Sequence, residues 1–125
     1  MNVVDSSGWL EYFTGGPNAD LFGGPIEQTS ALVVPVLCLL EVFKCILRGR
    51  SEGDALKAVA AMQQGQVVDL TADLALAAAR LSASESLPLA DSIILATARE
   101  YNATLWTQDA DFDGMEGVRY IAKQA

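Results

Sequence analysis

The sequence contains no histidine. That absence removes Ser-His-Asp and Cys-His catalysis, histidine general bases and the usual zinc sites. Cysteine is scarce, and Cys38 and Cys45 stand seven residues apart in a stretch that reads as one helix. At 1.5 Å per residue their Cα atoms would be about 10 Å apart. A disulfide needs less than about 7 Å, so two reduced core thiols are expected, as in a reducing compartment. Basic residues are also few: 8 against 16 acidic ones, for a net charge of −8. Such a balance disfavours nucleic acid, unless a metal-loaded acidic pocket reverses the local sign. No apolar run approaches the roughly 20 residues that span a bilayer. The most apolar window, residues 31–40, is short and holds Pro35. The N-terminus opens on a strand-like run without a basic region, so no signal peptide and a cytoplasmic location are expected. For an enzyme, carboxylates and a hard metal are the chemistry left.

What is present suits a folded core: 51% of the residues are hydrophobic and 19% charged. A length of 125 residues is expected to form a single domain over 1–125. Short apolar runs at 1–5, 31–34, 66–70 and 103–107 read as strands, with 118–122 as a fifth. Helices are predicted between them. One runs from Ser6-Ser7, read as its cap, to about Phe13, and one from Pro35 to Arg48 is apolar nearly all round and therefore buried. Others cover 54–64, 72–84 and 89–101, while 18–29 holds one or two short helices. Alternating strands and helices predict an α/β domain with a mainly parallel sheet of four or five strands. The continuous apolar strands imply that both sheet faces are covered.

Acidic residues recur at the ends of these elements. Asp109, Asp111 and Asp113 crowd the end of the strand Leu105-Trp106-Thr107, and uncompensated carboxylates repel unless water or a cation neutralises them. Asp5 ends the first strand, Glu41 is the one acid of the apolar helix, and Asp91 opens another helix. Each has a structural reading: a helix cap for Asp5, an exposed ion pair with Lys44 or Arg48 for Glu41, a dipole partner for Asp91, and Asx-turns for the last group. Taken together they point elsewhere. Right-handed crossovers in a parallel sheet bring strand C-termini and helix N-termini to one edge, where ligands bind in open α/β sheets. Four carboxylates from separate segments would then converge, as suits Mg²⁺ or Mn²⁺ and phosphodiester hydrolysis.

The residues resemble a known family. Val3-Val4-Asp5-Ser6-Ser7, Glu41 in the helix after strand two, Leu89-Ala90-Asp91-Ser92-Ile93-Ile94 and Leu105-Trp106-Thr107-Gln108-Asp109-Ala110-Asp111-Phe112 are similar, in order and spacing, to the motifs of PIN-domain ribonucleases. Over this length they look most like the VapC-type toxins of bacterial toxin–antitoxin pairs. The resemblance implies a PIN-like α/β/α sandwich and a Mg²⁺- or Mn²⁺-dependent endoribonuclease acting on structured RNA. It implies Asp5, Glu41, Asp91 and Asp109 as the catalytic quartet, with Asp5, Asp91 and Asp109 holding metal and Glu41 orienting water or a second ion. Ser7 and Thr107 would hydrogen-bond to the ligands and Asp111 would be an outer acid. A homodimer and a cognate antitoxin, often presenting an arginine to the active site, are implied as well. Lys44, Arg48 and Arg50 are the candidate basic rim for RNA, with Arg80 and Arg99 elsewhere. Asp113 has no functional account.

A receiver-type signalling domain is the competing reading, with Asp69 as phosphoacceptor. Asp5 is followed by Ser6 and Ser7 rather than a second acid, and Lys123 sits almost at the end of the chain, which disfavours it. A haloacid-dehalogenase-like phosphatase would need Asp-x-Asp on strand one, where Ser7 takes the second place. An inert PIN fold kept for binding is not favoured, because all four acids are present.

Overall fold

The computed structural model describes residues 1–124. Among these residues the first four strands are separated by pairs of helices, and the fifth follows the fourth directly: β1 Asn2–Val4, α1 Ser6–Thr14, α2 Ala19–Glu27, β2 Val33–Pro35, α3 Val36–Gly49, α4 Glu52–Met62, β3 Gln66–Val68, α5 Ala72–Glu85, α6 Leu89–Glu100, β4 Thr104–Thr107 and β5 Val118–Tyr120. Every strand pairing is parallel. β1, β4 and β5 form one ladder in that order, β2 and β3 form another, and an Asn2–Leu32 bridge links the two. The spatial order is therefore β3-β2-β1-β4-β5. Consecutive strands run outward from β1 on one side and then resume with β4 on the other. That reversal makes a crevice at the carboxyl ends of β1 and β4, the place where open α/β sheets bind ligands.

The core fills as the apolar runs dictate. Val3, Val4, Val33, Val34 and Leu105 from the strands pack with Trp9, Phe22, Ile94, Leu95 and Phe112 from the connecting segments. Helices cover the sheet in neighbouring pairs, α1 with α2, α3 with α4, and α5 with α6. No helix is long and apolar enough to cross a membrane among the described residues.

Local chemistry explains the helix limits. Ser51 and Thr71 cap α4 and α5 by accepting from Asp54 N and Leu74 N. Pro88 precedes the first residue of α6, and Asn102, in the left-handed region, follows its end. The cap of α1 is Asp5, not Ser6 or Ser7: its side chain accepts from Gly8 N, and both serines lie inside the helix. Residues 18–29 contain one longer helix, α2, which keeps Pro25 within it. The larger departure is α3. Only Cys38 and Val42 are buried on it, while Leu40 is 60% exposed and Leu47 43%. The helix packs on β2, α1, α4 and α6, and those neighbours cover only one side of it. Cys45 accordingly faces solvent, and Cys38 alone is a core thiol.

Candidate active site

The turn after β4 is the densest part of the site. Thr107 ends the strand buried, and Asp109 leaves it in extended conformation, capping the short turn Ala110–Phe112 by accepting from Asp111 N at 2.9 Å. Phe112 is driven into the core, so the turn is anchored from below while its acids stay near the surface. Asp91, in the first turn of α6, comes from the other side. Carboxylate oxygens of Asp91, Asp109 and Asp111 all lie within 4.8 Å of one another.

Asp5 lies beside this trio and is 3% exposed. Oδ1 accepts from Ser7 Oγ at 2.7 Å and Gly8 N at 3.0 Å, and Oδ2 accepts from Thr107 Oγ1 at 2.7 Å. Thr107 Oγ1 in turn accepts from Asp109 N at 2.9 Å, and Ser7 Oγ accepts from Gln108 N at 3.3 Å. Asp5 is thus a helix cap and also the anchor that ties β1 to the β4 turn. With one hydrogen bond on Oδ2, a lone pair on that atom is left for a further partner.

The electrostatics are those of an uncompensated cluster. Burial pushes the Asp91 carboxyl up to about 7, and the negative charges of Asp109, Asp111 and Asp5 push in the same direction. Burial raises Asp5 to about 6, against the opposing hydrogen bonds from Thr107, Gly8 and Ser7, and the Asp109 charge adds to the rise. A divalent cation fits this donor set. Oxygen ligands at about 2.1 Å in an octahedron lie about 3 to 4 Å apart, so side chains whose oxygens are already within 4.8 Å need only small shifts to meet one ion.

Glu41 stands outside the trio. Its Oε1 accepts from Ser6 Oγ at 2.7 Å, the residue next to Asp5. The buried Cys38 thiol donates to Val4 O at 3.9 Å, and burial pushes it far above the usual thiol range against a hydrogen bond from Ser6, with the Asp5 and Glu41 charges adding to the rise. Asp113 follows the short turn and is exposed. Asp69, the alternative phosphoacceptor, follows β3, two strands away from β1, and is exposed; it does not share the crevice of Asp5.

One polar group of this region has no signal in the sequence. Asn18, fully buried, donates from Nδ2 to Gln108 Oε1 and to Ala122 O, each at 3.1 Å, and accepts from Gln124 Nε2 at 2.9 Å. It clasps the C-terminal segment and the residue before Asp109. It lies in a Gly- and Pro-rich stretch where an asparagine reads as an ordinary turn residue.

Residues 3–118 match the family model of the PIN domain. No curated protein matches the chain by sequence. Several solved structures share the fold. A toxin–antitoxin complex from Klebsiella pneumoniae superposes with a TM-score of 0.84 at 22% identity, over 99% of this chain and 100% of that one. VapC20 of Mycobacterium tuberculosis, described as a sarcin–ricin loop cleaving toxin, superposes with a TM-score of 0.78 at 20% identity, over 95% and 99%. VapBC2 from Rickettsia felis, bound to a DNA fragment from its promoter, superposes with a TM-score of 0.74 at 12% identity, over 97% of each chain.

Proposed function

From the premise that this chain belongs to the PIN-domain family, we propose that it is a Mg²⁺- or Mn²⁺-dependent endoribonuclease and the toxin of a toxin–antitoxin pair. Residues 1–125 would form one such domain, acting in the cytoplasm as a homodimer. The observation that carries the reading is the convergence of Asp91, Asp109 and Asp111 beside Asp5 at the sheet crevice. Like charges gathered there are costly unless a cation neutralises them. The matching toxins support the role: one is described as cutting the sarcin–ricin loop and another is in complex with its antitoxin.

Asp91 and Asp109 would hold the ion directly, with Asp5 contributing through the open lone pair of Oδ2 and Asp111 joining from the turn. When bound, such an ion supplies Lewis acidity at the scissile phosphate and offsets the negative charge that develops there. The chain's own groups do the rest. Thr107 and Ser7 fix the Asp5 carboxylate and the backbone of the β4 turn. Glu41, steadied by Ser6, offers its second oxygen to accept a proton from the attacking water. An antitoxin presenting an arginine to the trio would occupy the same place as the ion and substrate, and would silence the site by pairing with its carboxylates.

The test is cleavage of total cellular RNA by protein purified free of any partner. Wild type is expected to cut only with Mg²⁺ or Mn²⁺, and Asp91→Ala to be inactive. Equal cleavage by both proteins would assign the activity to a contaminant and remove the acidic site from the account.

A further inference from the structure

We propose that one face of α3 carries a phosphate-binding track, on which Lys44 and Arg48 hold the backbone of single-stranded RNA as it runs to the acidic crevice. This inference rests on the ribonuclease reading and adds the route of the substrate.

The geometry starts from Glu41. With 3.6 residues per turn, positions 41, 44, 45 and 48 fall on one side of a helix. In this chain they line a single cleft of about 370 Å³, with Leu40 at its rim. The cleft begins at the residue that Ser6 ties to the β1 end of the active site. It then leads away along the helix past Lys44 and Arg48, both exposed. Four residues at 1.5 Å separate the two cations by about 6 Å along the axis. Neighbouring phosphates of an extended strand can match that span. Leu40, 60% exposed, gives an apolar surface against which a ribose or base can lie.

Charge distribution supports the same occupant. The α3–α4 pair and its connection hold Lys44, Arg48, Arg50 and Lys57 against Glu41, Glu52 and Asp54. This is half of all the basic side chains in a protein of net charge −8, on the one arm that is not acidic. The segments before and after this arm each carry more acidic than basic side chains, so a polyanion is repelled least along the face where two cations stand in line with Glu41.

Cys45 supplies a reporter. It is exposed within the cleft, whereas Cys38 is buried, so a maleimide reacts at Cys45 first. The probe is a mixed-sequence single-stranded RNA of about 20 nucleotides, added at low salt with EDTA to prevent cleavage. RNA is expected to slow alkylation of Cys45 at least about fivefold, and salt to restore the rate. The double variant Lys44→Ala/Arg48→Ala should lose the protection. It should also lower the slope of log affinity against log salt by about 1.4, the value for two single-strand phosphate contacts. In metal-dependent cleavage its KM should rise about tenfold with kcat nearly unchanged, because neither cation touches the reacting atoms. RNA bound by fluorescence anisotropy while Cys45 reacts at its free rate would overturn the track, as would an unchanged KM and salt slope in the double variant. Protection by polyglutamate but not by RNA would also overturn it, and would assign the face to an acidic polypeptide. These failures leave the ribonuclease reading standing; a wild type that neither binds nor cuts RNA removes both.

Discussion

Asp5 and Asp91 show how one side chain serves structure and chemistry at opposed cost. Both carboxyls are held above the ordinary value of 3.8, Asp5 at about 6 and Asp91 at about 7, chiefly by burial. Between roughly pH 4 and 7 the folded state therefore binds more protons than the unfolded state, and stability falls as pH rises through that window. Metal-free wild type should melt higher at pH 5 than at pH 8, and Asp91→Asn should flatten that dependence in a thermal-shift series. Mn²⁺ should restore the lost stability of wild type above pH 7, where the ligands are ionised, and do much less for the variant. A wild type whose metal-free melting temperature rises from pH 5 to pH 8 would contradict this. At Asp5 the loss is structural as well. Asp5→Ala removes the α1 cap and strands the Thr107 and Ser7 hydroxyls, so it should destabilise by about 2 kcal/mol in urea unfolding. Asp5→Asn keeps an acceptor for Gly8 N and should cost less, while both variants lose cleavage.

At the scale of elements, the start of α1 is the tightest joint. A Cβ built on Gly8 would lie 2.6 Å from Val4 Cγ1 and 2.8 Å from Phe22 Cδ1, so β1, α1 and α2 meet there with no room for a methyl group. The same residue donates its N–H to Asp5. Gly8→Ala should therefore push α1 off the sheet, cost about 1 to 3 kcal/mol and reduce cleavage by disturbing Asp5. Denaturant titration and cleavage assays on the same variant check both effects; unchanged stability would mean that the helix shifts freely. The elements themselves were mostly legible in the sequence, since strand and helix alternate as the apolar runs and caps predict. α3 was not. Its apolar residues surround the helix, yet Leu40 and Leu47 are exposed, because amphipathicity in sequence says how apolar a helix is and not how many neighbours it has.

For the whole molecule the governing quantity is a net charge of −8 around a site that is itself acidic. RNA affinity without metal should be weak and should fall steeply between low and physiological salt. Mg²⁺ or Mn²⁺ should raise the affinity at constant ionic strength by turning the sign of the crevice. A filter-binding titration of Asp91→Asn against wild type separates the two effects, because the variant should keep the salt dependence and lose the metal gain. Metal-free binding that ignores salt would show that backbone charge is not what holds the RNA.

The order of apolar runs and the residues closing them were enough to read an α/β fold with a parallel sheet, and to nominate acids at strand ends and helix starts. Those features follow from short-range chemistry: capping, periodicity and the repulsion of crowded carboxylates act within a few residues. Tertiary structure decided which oxygens meet. Strand order β3-β2-β1-β4-β5 set β1 beside β4 and opened the crevice there. The anchoring of Phe112 and the tight turn before it brought Asp111, expected only as an outer acid, within 4.8 Å of Asp91 and Asp109. Asp5 was placed beside that trio in a bed of hydrogen bonds, Glu41 was set on Ser6, and Asn18 was closed over the C-terminal segment. These contacts join residues about 35 to 105 positions apart, and only the packed chain can bring such distant residues within reach of one hydrogen bond.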